Sequence, residues 1–178
     1  MNALDRSYRA GTSHLGWRVA LLALARNPAA SIYGTVLADS VLAVEAERQT
    51  TLSDLVYGEL ISVVVYWLAH VYADFLGTRS DPGHRAGVRG LVETMSHEWP
   101  LVTASFIPLL AVLLASLAGA SVQDASLAGM WTGVGALVLW GELAGRHSGS
   151  GTWGAIGYGL LSGALGVILI LLRVLLLH

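Results

Sequence analysis

Apolar residues run through this chain in long blocks. Polar residues fall between the blocks or on single faces within them. The central block is 54–77, and an apolar run of about twenty residues is long enough to cross a bilayer as a helix. It still carries Glu59, Tyr66, His70 and Asp74. At about 100° per residue, with Glu59 as zero, Tyr66 falls near −20°, His70 near +20° and Asp74 near +60°. The four share one face, and Val, Ile, Leu and Phe form the other. An ionisable group in mid-membrane costs about 2.5–3.5 kcal/mol on insertion scales, so such a stripe is expected to face a protein interior or a water-filled path.

The same pattern predicts four further membrane helices, at about 28–46, 100–118, 124–143 and 153–176. Residues 13–26 are apolar but span only about 20 Å. Arg18 and Arg26 bracket them and Trp17 suits interfacial depth, so they read as a helix lying on the membrane surface. Three arginines ahead of a short apolar run also resemble a signal peptide, but Arg26 follows the run at once and the reading adopted is an uncleaved segment. Asn27-Pro28 is a good helix start. Thr51-x-x-Asp54 and Ser121-x-x-Asp124 are capping patterns that open the second and fourth membrane helices. Residues 88–98 are expected to form a second interfacial helix. Pro108 falls inside the third membrane helix and frees the Ala104 carbonyl, which predicts a kink.

Composition supports a membrane class. The chain has 178 residues, 54% hydrophobic and 12% charged, with a mean hydropathy of +0.63. Soluble domains carry about 25% charged residues. This length allows one membrane domain, residues 1–178, of all-α architecture. There are no cysteines and no lysines. Thiol nucleophiles, thiolate metal sites, Schiff-base lysines and phosphate-loop lysines are therefore excluded. With five spans and an inside N-terminus, eight of the ten arginines lie on the cytoplasmic side and only Arg48 and Arg173 lie outside. That bias sets the expected orientation, multi-pass in a bacterial inner membrane.

This topology sorts the chemistry into two ends. Toward the outside lie Glu45, Glu47, Asp54, Glu59 and Asp124, with Asp39 deeper; such a surface concentrates cations. Asp54 and Asp124 also read simply as helix caps, and Glu45 and Glu47 as solvated. Ser31, Thr35 and Asp39 recur every four residues on the first membrane helix. The serine and threonine are expected to bond their own backbone, which leaves Asp39 unexplained. Toward the cytoplasm lie His70 and Asp74, with His97 and Glu98 at similar depth and Glu142 and His147 closing the fourth helix. Imidazole suits transition metals and carboxylate suits Mg, Ca and Mn, so His70, Asp74, His97 and Glu98 form a candidate divalent-metal set. Histidine titrates near neutral pH, so the same groups are equally candidates for passing protons. The plain alternative is interhelical hydrogen bonding.

The spacing of Ala125, Gly129 and Gly133, and of Ala155, Gly159 and Gly163 with Gly166 beside them, puts small residues on one face of each of the last two helices. Such faces let backbones approach closely, within the chain or in a homo-oligomer. His97-Glu98 is followed by Trp-Pro, so there is no His-Glu-x-x-His motif. There is no phosphate loop, no Gly-x-Ser-x-Gly and no nucleic-acid surface. His147-Ser148-Gly149-Ser150-Gly151 reads as a flexible turn.

The segments Tyr66-Trp67-Leu68-Ala69-His70-Val71-Tyr72-Ala73 and His97-Glu98-Trp99-Pro100 resemble stretches of small multipass membrane proteins of high-GC bacteria. The resemblance extends over most of the chain and implies the same multipass fold, but brings no activity with it. The functional expectation therefore rests on the residues. It is a cation or proton pathway through Asp39, Glu59, Tyr66, His70 and Asp74, with no cofactor. Two other readings stay open: a metal-dependent membrane enzyme using a divalent ion at His70, Asp74, His97 and Glu98, and a non-catalytic scaffold.

Overall fold

The computed structural model describes residues 27–45, 48, 51–77 and 88–176. The expected surface helix at 13–26, Glu47 and most of the polar stretch after Gly77 lie outside these residues. The described chain is all-helical: α1 Pro28–Glu45, α2 Leu52–Gly77, α3 Val88–His97, α4 Trp99–Leu117, α5 Val122–His147 and α6 Thr152–Leu176. Four helical stretches are long and apolar enough to cross a membrane: α2, the α3–α4 stretch, α5 and α6. The 18-residue α1, which carries both Asp39 and Glu45, is not among them.

Local chemistry explains the helix starts. Asn27 Oδ1 accepts from the Ala30 N–H at 3.1 Å, so Asn27 caps α1 with Pro28 behind it. Thr51 Oγ1 accepts from the Asp54 N–H at 3.3 Å and donates to Asp54 Oδ2 at 2.6 Å. Ser121 Oγ makes the same pair of bonds with Asp124, at 3.1 and 2.7 Å. Both capping patterns form as the spacing implies, and each acidic residue also lies at the positive end of a helix dipole.

The ends of α4 and α5 share a second device. Gly119 and Gly149 have φ of 91° and 76°. After α4, the Gly119 and Ala120 N–H groups donate to the Ser116 and Ala115 carbonyls. After α5, Gly149 and Ser150 donate to Arg146 and Gly145. This is the double-bonded Schellman closure, which needs a left-handed residue and so favours glycine. The 147–151 run is therefore a built helix stop rather than a flexible turn. Helix α4 continues through Pro108, which is buried.

Helix α1 is the hub. It packs against α2, α4, α5 and α6. Its direction follows from its neighbours. A Cβ placed on Gly34 would run into the Leu101 backbone near the start of α4, while Leu42 and Val112 both border Gly129. α1 and α4 are therefore parallel. Gly129 meets Leu42 and Gly133 meets Asp39, so α5 is antiparallel to α1. Tyr33 stacks on Tyr66 and His70, while Asp39 further along α1 lies near Glu59 earlier in α2, so α2 is antiparallel to α1 as well. Although α1 is not among the stretches long and apolar enough to cross a membrane, its register alongside α4 and α5 packs it within the same bundle.

The glycine faces are consumed within the chain. Gly159, Gly163 and Gly166 meet Val138 and Val134 of α5, and Gly141 and Gly145 meet Ser162, Tyr158 and Ala155 of α6. Gly129 and Gly133 turn the other way, onto α1 and α4. These contacts lie within the chain, so the close approach that the small-residue faces announce does not require a second copy. By contrast α2 buries a single ladder, Leu55, Glu59, Val63, Trp67, Val71 and Phe75, and leaves most of its apolar surface exposed.

Candidate functional site

The α2 ladder explains what happens to the polar stripe. A contact seam that follows every fourth residue includes Glu59 but not Tyr66, His70 and Asp74. Those three lie on the neighbouring ladder, one residue back. Glu59 is 1% exposed, Tyr66 and His70 are half-buried, and Asp74 is exposed. The helical angles put these residues on one broad face, and the fold divides that face into a buried seam and a flank.

The first cluster is Asp39 with Glu59. Asp39 is 0% exposed, and its carboxylate lies directly on Gly133 of α5. Glu59 comes from the adjacent α2 and lies within electrostatic range of Asp39. None of the four carboxylate oxygens has a hydrogen-bond partner among the described residues. Buried polar groups are ordinarily hydrogen-bonded, and exceptions point to strain, function or a missing partner. The neighbouring hydroxyls do not help. Thr35 Oγ1 donates to the Ser31 carbonyl at 2.9 Å, and Ser31 Oγ donates to the Asn27 carbonyl at 3.3 Å. These two make the ordinary backbone bonds expected of them, and Asp39 makes none.

The second cluster lies about 10 Å further along α1 and α2, at 1.5 Å per residue. Tyr33, Tyr66 and His70 stack on one another with centroids 5.5–6.3 Å apart. His70 Nε2 lies 3.3 Å from Glu98 Oε2, and His97 Nδ1 lies 2.9 Å from Glu98 Oε1. Glu98 is 6% exposed at the junction of α3 and α4, so one buried carboxylate gathers two imidazoles. Asn27 also donates to the His97 carbonyl at 3.4 Å, tying the start of α1 to the same junction. Leu37 and Val63, which come between the two clusters along α1 and α2, belong to one apolar cluster against which Tyr66 also packs.

Of the candidate metal set, His70, His97 and Glu98 come together while Asp74 stays on the exposed flank. Among the described residues no group of three or more His, Asp or Glu has a metal-holding arrangement. Glu142 pairs with Arg146 one turn on in α5. Asp54 and Asp124 are spent as caps.

Two participants were not singled out from sequence. Tyr33 completes the aromatic stack, and nothing in its local spacing marks it. Arg173, 6% exposed, donates to Ser126 Oγ at 3.0 Å and to Met130 Sδ at 3.4 Å. Its signal was present in the sequence: a lone arginine in an otherwise apolar run. No family model, curated protein or solved structure matches this chain.

Proposed function

We propose that the protein is a five-span membrane protein of the bacterial inner membrane, N-terminus inside, that provides a path for a cation or a proton. The observation that carries this reading is the Asp39–Glu59 pair. Two carboxyls, 0% and 1% exposed, lie on adjacent helices within electrostatic range of each other, with no hydrogen-bond partner among the described residues. Removing a charge from water costs several kcal/mol even after relaxation, on the order of what a whole domain has as net stability. A fold that keeps two such groups has a use for them. A positive ion that visits the pair supplies the missing counter-charge. Tyr66, His70 and the Glu98–His97 group lie at successive depths toward the expected cytoplasmic end.

α1 counts as the fifth span because it is aligned with α4 and α5 and packed in their midst. The cysteine-free background makes topology directly measurable. Ala120→Cys should be labelled from outside and Ser148→Cys from the cytoplasm by a membrane-impermeant reagent.

Flux into proteoliposomes, with a pH dye and a panel of cations, tests the function. Wild-type protein should conduct, and Asp39→Asn, Glu59→Gln and His70→Ala should each reduce flux without preventing assembly. Unchanged flux in all three would overturn the reading.

One observation favours a second reading. Glu98 touches His70 through one carboxylate oxygen and His97 through the other; the three are donor types that bind transition metals, and an ion would have to draw them from these separate contacts onto one point. This reading predicts a stoichiometric divalent ion in the purified protein, lost on replacing either histidine; metal-free, normally folded protein counts against it.

A further inference from the structure

We infer that the ion held by the Asp39–Glu59 pair is the proton, so that the pair is a proton-binding centre rather than a metal-cation site. This deepens the pathway reading and rests on it. A dehydrated metal cation needs a shell of oxygens, about six to eight for Ca²⁺ and six for Mg²⁺. The pair offers four, all from two side chains. No hydroxyl among the described residues hydrogen-bonds either carboxyl, so none is placed on the four oxygens to extend the set.

Space argues the same way. Asp39 lies so close on Gly133 that a single methyl group there would overlap its carboxylate. Helix α5 thus closes that side to a hydrated ion. Leu37 and Val63 come between the pair and the second cluster along α1 and α2, and a metal ion passing them would have to shed its water among hydrocarbon. A proton needs only a carboxyl oxygen to rest on and a transient water or hydroxyl to leave by. The groups beyond them, Tyr33, Tyr66, His70, Glu98 and His97, all have exchangeable protons.

Among the described residues no other charge on the packed elements bonds the two carboxyls in the proton's place. Helix α4 has no ionisable residue. On α5, Asp124 is bonded to Ser121, while Glu142, Arg146 and His147 lie at the opposite end. On α6 the Arg173 guanidinium bonds Ser126 and Met130, and neither carboxyl accepts from it. Tyr158 packs near Gly145, at the far end of α5.

Infrared difference spectroscopy on the purified full-length protein tests the inference directly. The expected result is a protonated-carboxyl C=O band at neutral pH that shifts in D₂O. It should lose intensity in Asp39→Asn and again in Glu59→Gln, and stay unmoved by Na⁺, K⁺ or Ca²⁺. A wild-type spectrum without the band, or one whose carboxylate bands shift on adding any of these cations, overturns it. Because the wild-type spectrum and its cation response decide the matter, a variant that folds poorly does not. The measurement is independent of transport. Absent flux with the band present sinks the pathway reading alone, and metal-ion flux with no band sinks the proton assignment alone.

Discussion

Gly133→Ala is the most informative single substitution, because its effect should depend on one other residue. The added methyl would overlap both Asp39 carboxylate oxygens. Asp39 is 0% exposed and has no outward route, and α1 is held by α2, α4, α5 and α6, so neither side chain nor helix can easily retreat. Overpacking of this kind costs about 1–3 kcal/mol. The higher helix propensity of alanine returns up to about 1 kcal/mol. A net loss of about 1–2 kcal/mol is expected. Asp39→Ala alone should be close to neutral, since the cavity it leaves offsets relief from a carboxyl without partners, worth about 1–3 kcal/mol. In the double variant the methyl enters the vacated space, and Gly133→Ala should then cost nothing or stabilise slightly. The coupling is about 2 kcal/mol, within the usual range of about 0.5–3 kcal/mol for residues in contact. The assay is unfolding in mixed micelles followed by circular dichroism, with reversibility checked by refolding. Costs that add within about 0.5 kcal/mol would show that Asp39 does not press on Gly133.

Two further outcomes follow from other contacts. Gly34→Ala drives its methyl into the Leu101 backbone, which cannot rotate away, so it should cost more than about 3 kcal/mol and deplete folded protein; Gly135→Ala, which meets open space, should be neutral or gain up to about 1 kcal/mol in the same assay. Ser121→Ala removes the α5 cap and should cost about 1 kcal/mol, whereas an unchanged unfolding midpoint would show that the cap bonds contribute nothing.

The parts of the fold legible in the sequence were those set by local chemistry. The four long apolar helices and the Asn27, Thr51 and Ser121 caps depend on residues within a turn of one another. The site was legible only in part. Helical angles placed Glu59, Tyr66, His70 and Asp74 on one face, but a packing seam is narrower than a face and its path depends on the partner helix. That is why Glu59 is buried and Asp74 exposed. His70, His97 and Glu98 do come together; the α3–α4 junction that supplies two of them is marked locally in the sequence, while His70 lies about two turns inside the end of α2. Tyr33, and Gly133 beneath Asp39, depend on which helices become neighbours, and no local pattern encodes that. The small-residue faces announced close approach without saying to what. Gly159, Gly163 and Gly166 approach α5, whereas Gly129 and Gly133 approach α1 and α4.

The central position of α1 has a consequence for biogenesis. This helix is short, and an aspartate in its second half would oppose its insertion into a bilayer on its own, by about 2.5–3.5 kcal/mol at the centre of a span. Its compensation comes from the helices that enclose it, and α4, α5 and α6 are all translated later. The first of the described helices to leave the ribosome is therefore made before most of the helices that enclose it. Until α5 arrives to lay Gly133 against Asp39, α1 depends on the insertion machinery to shelter its acid. A chain stopped after α2 would strand that acid without its cover and give quality-control proteases a recognisable target.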